Sequence, residues 1–375
     1  MSNSSEKLPA LRILILNWHD LAHPLAGGAE VYTHHVANEW IKMGHDVTLF
    51  CASVDGLPEN QNISGLKIIR RGGKYSVYRE AKKFYRTEGR GNFDLVVDEI
   101  NTRPFGAPKW VKDAQVIALI HQVCREIWFY QVNFPMAIFG RYVLEPYWLS
   151  KYRDVLTITV SDSSMNSLEM YGLKKVVVVP EGFERSNTSE TREKAEVPTL
   201  VFVGRLSPNK RPIDAIKAFE LLRKKLPNST LKIIGTGPLE KKIRKRLPTG
   251  AQLLGKLSED EKIFHVSSAH ALIATSIREG WGLVVTEASL VGTTSIAYDV
   301  PGLRDSVKSS NGILCAPNVK SLYKEILRFL NTDFDTESSS SQPSGVEPWG
   351  KVAEMILNES MQSISKQVQP NTRRK

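Results

Sequence analysis

Short apolar runs alternate with amphipathic stretches along nearly the whole chain. In the first half the runs are LRILILNW (11–18), HDVTLFCAS (45–53), LKIIRR (66–71), FDLVVDEI (93–100), QVIALIH (115–121), VLTITVS (155–161) and KVVVVP (175–180). The second half restarts the rhythm with TLVFVGRL (199–206), STLKIIGTG (229–237), AQLLGKL (251–257), HALIATS (270–276), TTSIAYD (293–299) and GILCAP (312–317). Runs this short, rich in Val, Ile and Leu, predict buried strands. The segments between them predict helices. In IDAIKAFELLRKKL (213–226), Ile213, Ile216, Phe219, Leu222 and Leu226 share one helical stripe, and Pro212 falls in the first turn, where its missing N–H costs nothing. Strand and helix alternating in this way predict parallel α/β sheets.

Two polar stretches break the rhythm. GFERSNTSETREKAEVP (182–198) has no apolar period and reads as a linker, while NTDFDTESSSSQPSGVEP (331–348) is Ser-rich and reads as a flexible loop. WGKVAEMILNESMQSI (349–364) regains helical spacing before a basic tail, KQVQPNTRRK, expected to be disordered. A chain of 375 residues exceeds the usual size of a single core. The expected architecture is therefore two doubly wound Rossmann-like domains facing across a cleft, 1–182 and 183–345, with the helix in 346–375 crossing back to the first. In such sheets ligands bind outside the carboxyl ends of the strands.

Composition narrows the setting. Three cysteines, Cys51, Cys124 and Cys315, are too few and too scattered for a disulfide framework or a zinc site, and a reducing compartment fits them. The first apolar run is only a strand long and follows a polar leader, so it reads as neither signal peptide nor membrane span. A net charge of +10 implies acidic partners, yet the basic residues are spread over many helices and no nucleic-acid motif appears. A membrane surface or a phosphorylated substrate fits that charge better than nucleic acid does.

The strand-to-loop junctions hold the candidate chemistry. After the first run, Gly27 and Gly28 precede a helix starting near Ala29, which makes either an anion seat on free N–H groups or a plain tight turn. The absence of G-x-G-x-x-G here counts against an NAD site. In VGRLSPNKRP (203–212), Gly204 ends a strand and Arg205 and Lys210 lie just beyond it, an anion trap or a solvated surface. Gly235 and Gly237 repeat the layout and would admit a flat ligand. His121 ends its strand as either a cleft residue or a buried structural one, whereas His34 and His35 lie within a helix and read as structural. No histidine pair has convincing metal-ligand spacing. In SIREGWGLVVTEAS (276–289), Glu279 falls in a glycine-rich turn and Glu287 about one turn into the helix that starts near Gly282. An acid/base pair needs two carboxyls across a bond, about 5–9.5 Å apart, which one local turn does not naturally provide. Carboxylates so placed suit hydrogen bonds from sugar or ribose hydroxyls, while Trp281 either stacks on a ligand or packs the loop.

Taken in order, these motifs resemble the retaining, GT-B-fold glycosyltransferases of glycosyltransferase family 4. The likeness runs from the GGAE loop to the W-x-x-V-A helix, and its strongest block is the E-x7-E motif Glu279 to Glu287, followed by AYDVPGLRDSV (297–307). The resemblance implies that Gly27 and Gly28 lie near the donor diphosphate and acceptor, that His121 contacts the transferred sugar, and that Arg205 and Lys210 bind the diphosphate. It further implies that Glu279 holds sugar hydroxyls, that backbone N–H groups around Gly282, Leu283 and Val284 meet phosphate, and that Glu287 holds the ribose. No cofactor or metal is implied, and the D-x-D Asp333-Phe334-Asp335 falls in the Ser-rich loop. One departure stands out: where the family often reads P-N-G-V-D, this chain has Pro180, Glu181, Gly182, Phe183, Glu184.

The activity so implied is transfer of a hexose from a nucleotide-diphosphate sugar to a glycan or polyprenyl- or lipid-linked acceptor. Segment 125–153 mixes Trp128, Phe129, Tyr130, Phe134 and Trp148 with Arg125, Arg141, Lys151 and Arg153. That mixture fits an anionic membrane surface as a further partner, or a pair of core helices with snorkelling ends. The expected location is the cytoplasm, with peripheral attachment at the inner face of the cell membrane. The alternatives are a non-catalytic sugar-nucleotide-binding subunit, which would bind donor without transfer, and a GT-B-like epimerase, which would isomerise donor with no acceptor present.

Overall fold

All thirteen apolar runs become strands, each somewhat shorter than its run because the last residues turn away into the loops of the cleft. The computed structural model describes residues 9–183, 193–332, 344 and 346–368. Most of the linker, the D-x-D, Glu184 and the end of the basic tail lie outside them.

The first half runs β1 (Arg12–Leu16), α1 (Gly28–Lys42), β2 (Asp46–Cys51), β3 (Asn60–Ile63), β4 (Leu66–Arg70), α2 (Val77–Phe84), β5 (Leu95–Glu99) and β6 (Gln115–Leu119). It continues with α3 (Trp128–Gln131), α4 (Phe134–Phe139), α5 (Glu145–Leu149), β7 (Thr157–Thr159), α6 (Asp162–Glu169) and β8 (Val176–Val178). These strands form one eight-stranded sheet in the order β3-β4-β2-β1-β5-β6-β7-β8. Every pair is parallel except β3 with β4. Strand β3, NQNI, carries no apolar alternation, so the hydrophobic pattern could not announce it. It is an edge strand held by its backbone pairing with β4 and by the Arg70 guanidinium, which donates to Gln61 Oε1 at 2.8 Å.

The chain crosses over through β9 (Gly182–Phe183) to β10 (Thr199–Val203), α7 (Pro212–Arg223), β11 (Thr230–Ile234), α8 (Glu240–Arg244), β12 (Ala251–Gly255), α9 (Glu259–Ser267) and β13 (Ala271–Ala274). Then follow α10 (Leu283–Leu290), β14 (Thr294–Tyr298), α11 (Leu303–Ser309), β15 (Ile313–Cys315), α12 (Val319–Thr332), β16 (Glu347–Pro348) and α13 (Trp349–Val368). Six of these strands form a second, wholly parallel sheet, β12-β11-β10-β13-β14-β15. Parallel neighbours require long crossovers, which the helices supply while covering both faces.

Helix α13 packs on α1 of the first half, where Trp40 Nε1 donates to the Ala353 carbonyl at 2.9 Å. Strand β16 pairs with β9, and the Trp349 ring lies directly on Gly182, so close that any Cβ there would clash. The crossover beside Glu181 is thus clamped by the returning helix. All three cysteines are buried and free. Among the described residues no helix is long and apolar enough to cross a membrane.

Candidate active site

The turn between β13 and α10 is the centre of the site. Gly282 caps α10 at φ +99°, a left-handed conformation that glycine adopts at little cost and that swings the chain from strand into helix. Glu279 sits just before it, 12% exposed, with Ser276 Oγ donating to its Oε1 at 2.5 Å and Lys210 Nζ ion-paired to the same oxygen. The lysine loop is fastened to this turn: Thr275 Oγ1 donates to the carbonyls of Lys210 and Arg211 at 2.9 and 3.0 Å, and the Ile277 N–H donates to the Asn209 carbonyl. Lys210 and Glu279, to which the resemblance assigns separate tasks, are a single charge pair.

His121, at the end of β6, lies directly beneath that turn. A Cβ built on Gly280 would come within 2.8 Å of the His121 carbonyl, so only glycine allows the two halves to meet here. Ser161 Oγ donates to the Gly280 carbonyl and Ser164 Oγ to the His121 carbonyl, both at 2.7 Å. The imidazole Nδ1 is 3.6 Å from Glu181 Oε1, and its ring meets Tyr32 edge-on at 4.8 Å. Burial by itself would lower the His121 pKa, but the hydrogen bond and charge of Glu181, with its other acidic neighbours, outweigh it and raise the value. Glu181, the departure from the family pattern, is thus the counter-ion of His121.

Glu99 is fully enclosed beneath this cluster, with Thr33 Oγ1 2.7 Å from both its oxygens, and burial pushes its pKa up to about 8. The folded protein therefore holds a proton that the unfolded chain, at its ordinary value of 4.5, releases. Stability contributed by this group is present below pH 4.5 and is lost progressively as pH rises towards 8. Glu99→Gln should remove that dependence, giving denaturation midpoints flatter across the same interval. A wild-type slope in the variant would show that another group carries it.

The remaining stations divide. Arg205 is exposed beyond β10, and no Cβ added at Gly204 would touch anything, so the space above this junction is open. Gly235, at φ +131°, and Gly237 press backbone to backbone on residues 204–206, which accounts for both glycines without a ligand. Gly27 caps α1 and donates its N–H to Glu30 Oε2 at 2.7 Å. A Cβ on Gly28 would stand 3.5 Å from Leu283 Cδ1, so the glycine loop and the start of α10 face one another across the cleft. Leu283 and Val284 open α10, where first-turn N–H groups have no intrahelical acceptor. At Glu287, Lys262 of α9 holds Oε2 at 2.9 Å and also pairs with Glu259. Among the described residues no cluster of His, Cys, Asp or Glu could hold a metal ion.

The family description "Glycosyltransferase Family 4" matches residues 26–187, and "Glycosyl transferases group 1" matches residues 184–342. One falls on each sheet, and together they take in both walls of the cleft. The chain belongs to the family 4 glycosyltransferases. It is 30% identical to glycogen synthase of Mycobacterium tuberculosis over 45% of its own length and 44% of that relative's, so it matches less than half of that protein. Sucrose-phosphate synthase of Thermosynechococcus elongatus shares the fold at a TM-score of 0.72 and 16% identity, covering 96% of this chain and 99% of that one. Anabaena HepE in complex with UDP-glucose does so at 0.63 and 16%, covering 95% and 99%.

In this family 4 glycosyltransferase, several residues of the site escaped the sequence reading. Arg278, only 5% exposed, reaches from the second half to the first, donating to Glu126 Oε2 at 2.9 Å and Ser167 Oγ at 3.2 Å. Lys262, Ser276, Glu30 and Glu99 were also passed over, each being an ordinary polar residue until the fold gives it a partner. Trp281 is decided as well: its ring is 6% exposed within the apolar cluster beneath the first sheet, and Nε1 donates to Thr286 Oγ1 at 2.9 Å. It packs the junction between the halves.

Proposed function

We propose that the protein transfers a hexose from a nucleotide-diphosphate sugar to a glycan or lipid-linked acceptor, with retention and without a metal ion. The observation carrying this reading is the Lys210–Glu279–Ser276 cluster beside the start of α10, seated on the His121 carbonyl strand end. On donor binding the diphosphate competes for Lys210, and Arg205 and the first-turn N–H groups of α10 add to its grip. Glu279, released from the lysine but still held by Ser276, accepts hydrogen bonds from the sugar hydroxyls. His121, its pKa raised chiefly by Glu181, donates to the same sugar from the end of β6. Glu287, held by Lys262 and 40% exposed, accepts hydrogen bonds from the ribose in this reading.

In the transfer the bond between the anomeric carbon and the diphosphate oxygen breaks, and the acceptor oxygen bonds that carbon while its proton leaves with the diphosphate. Negative charge develops on the departing group, and Lys210 and Arg205 stabilise it in the role a metal ion could otherwise fill. The similarity of the fold to HepE supports a UDP-hexose as the first donor to test. The acceptor reading includes peripheral attachment at the inner face of the cell membrane.

A thermal-shift screen of nucleotide sugars tests the donor half directly. A donor present at about 100 times its dissociation constant should add roughly 2.7 kcal/mol to stability and raise the melting temperature accordingly. If no nucleotide sugar shifts melting, the reading falls. If one binds but no acceptor is glycosylated and no donor is hydrolysed, the protein is a binding subunit instead.

A further inference from the structure

The outward face of the first sheet carries two unusual surfaces on one layer. Leu14, Leu16 and Val96 of β1 and β5 pack against Val77, Ala81 and Phe84 of α2, while Ala118 of β6 packs against Leu149 and Tyr152. Val96 pairs with both Leu14 and Val116, and Ala118 lies two residues beyond Val116 on β6, so all these side chains leave the sheet on the same side. Asp98 ties the layer together, accepting from the Phe105 and Ala107 N–H groups and from Tyr152 Oη. Helix α2 and the helical segment α3–α5 therefore lie on the same face of the sheet, and α1 and α13 cover the opposite face.

The segment α3–α5 is apolar where it should be polar. No charged residue lies between Ile127 and Gly140. Phe134, Met136, Phe139, Tyr142, Val143 and Tyr147 are exposed, Phe134 at 68% and Tyr142 at 65%. A soluble protein rarely leaves so dense an apolar patch uncovered. The core-helix alternative accounts for Ile127, Trp128, Ala137, Leu149 and Tyr152, which do turn inward, but not for the exposed residues. At the edges, Arg141 lies over the Tyr142 ring and Lys151 Nζ is 3.8 Å from the Tyr147 ring centroid, cations set at the rim of an apolar surface. On the same face of the sheet, α2 turns Arg79, Lys82 and Lys83 outward, and Arg86 in the turn just after it joins them around an open concavity. Of the acidic groups nearby, Glu80 pairs with Arg79 and Glu88 with Arg71, and Lys82 and Arg86 form no ion pair among the described residues.

We propose that α2 and the α3–α5 segment together form a docking face for an anionic lipid bilayer, the cationic ridge meeting lipid headgroups and the aromatic segment entering the interfacial region. Charge complementarity selects this occupant. A second copy of the chain meeting the same face would oppose one cationic ridge with another, since an isologous contact brings like surfaces together. A bilayer rich in acidic headgroups satisfies both surfaces at once. Helix α3 packs against the 208–210 turn that carries Lys210, so a protein docked in this way presents the mouth of its cleft to the lipid surface. This deepens the lipid-linked acceptor reading, but the docking itself does not depend on transfer.

The test is co-sedimentation of the full chain with vesicles of phosphatidylcholine, with and without phosphatidylglycerol. The protein should pellet with the mixed vesicles at low salt, stay in solution with phosphatidylcholine alone, and be released by added salt. The double variants K83E/R86E and F134S/F139S should each weaken partitioning about tenfold or more. Both alter exposed side chains, so both should keep the wild-type melting temperature and the donor-induced shift, which separates failure of docking from failure of the transferase reading. A wild-type protein that never pellets overturns the proposal, as does unchanged partitioning of F134S/F139S. So does a dimer in sedimentation equilibrium that F134S/F139S dissolves without any vesicle binding.

Discussion

Lys210→Ala should lower transfer about 100- to 1,000-fold while leaving the protein folded, the range seen when one preorganised donor to a developing anion is removed. The backbone around Lys210 does not rely on its side chain. Thr275 Oγ1 holds the Lys210 and Arg211 carbonyls, and Pro212 sets the next helix in place. What alanine removes is the cation that pairs with Glu279 and, once donor binds, faces the diphosphate. Glu279→Ala should be comparably damaging, because it removes the acceptor for the sugar hydroxyls. The double variant should cost much less than the product of the two single losses, since both residues serve one bound donor. Steady-state rates with saturating acceptor measure all three. Unchanged turnover in both single variants would refute the assignment of this cluster.

Trp281→Ala should destabilise the protein by about 3–5 kcal/mol, the usual cost of emptying a buried aromatic site. Trp281 belongs by sequence to the second half, yet its ring lies in the apolar cluster shared by Tyr32, Trp349 and the strands of the first sheet. Removing it opens a cavity at the junction and frees the turn that carries Glu279. Donor binding should weaken as stability falls. Trp281→Phe is the informative control. It retains most of the packing and loses the hydrogen bond to Thr286, for a cost nearer about 1 kcal/mol. Midpoints of denaturant unfolding measure both. An alanine variant as stable as the wild type would place Trp281 outside the structural junction and return it to the ligand.

The strands, the two-sheet organisation and the stations at strand ends were legible because they depend on local pattern. An apolar run bounded by turn residues has few structures open to it, and a glycine before a helix marks a junction wherever the sheet lies. The polar edge strand β3 was invisible because NQNI has no apolar alternation and its partners lie on β4. Glu279 and Glu287 could be recognised as a motif, but their partners could not. Lys210 lies 69 positions before Glu279, and Lys262 is on another helix. The strand end marks Lys210 as a candidate cation but not as the partner of Glu279, and nothing in the local sequence distinguishes Lys262 from the solvated lysines around it.

The sequence by itself determined which segments become strand and helix, that the chain builds two parallel sheets, and which loops carry the glycines, cations and carboxylates of the cleft. Those are properties of neighbouring residues, fixed by side-chain period and backbone freedom. Tertiary structure decided which charges neutralise one another, that Gly235 and Gly237 serve backbone packing, that Trp281 joins the halves, and that Glu181 stands against His121. It also decided that a cationic helix and an uncharged aromatic segment share one face. The physical reason is the same throughout: the strength of an ion pair, a buried carboxylate or an exposed ring depends on distance and solvent access, and residues far apart in the chain acquire both only when the sheets and the returning helix bring them together.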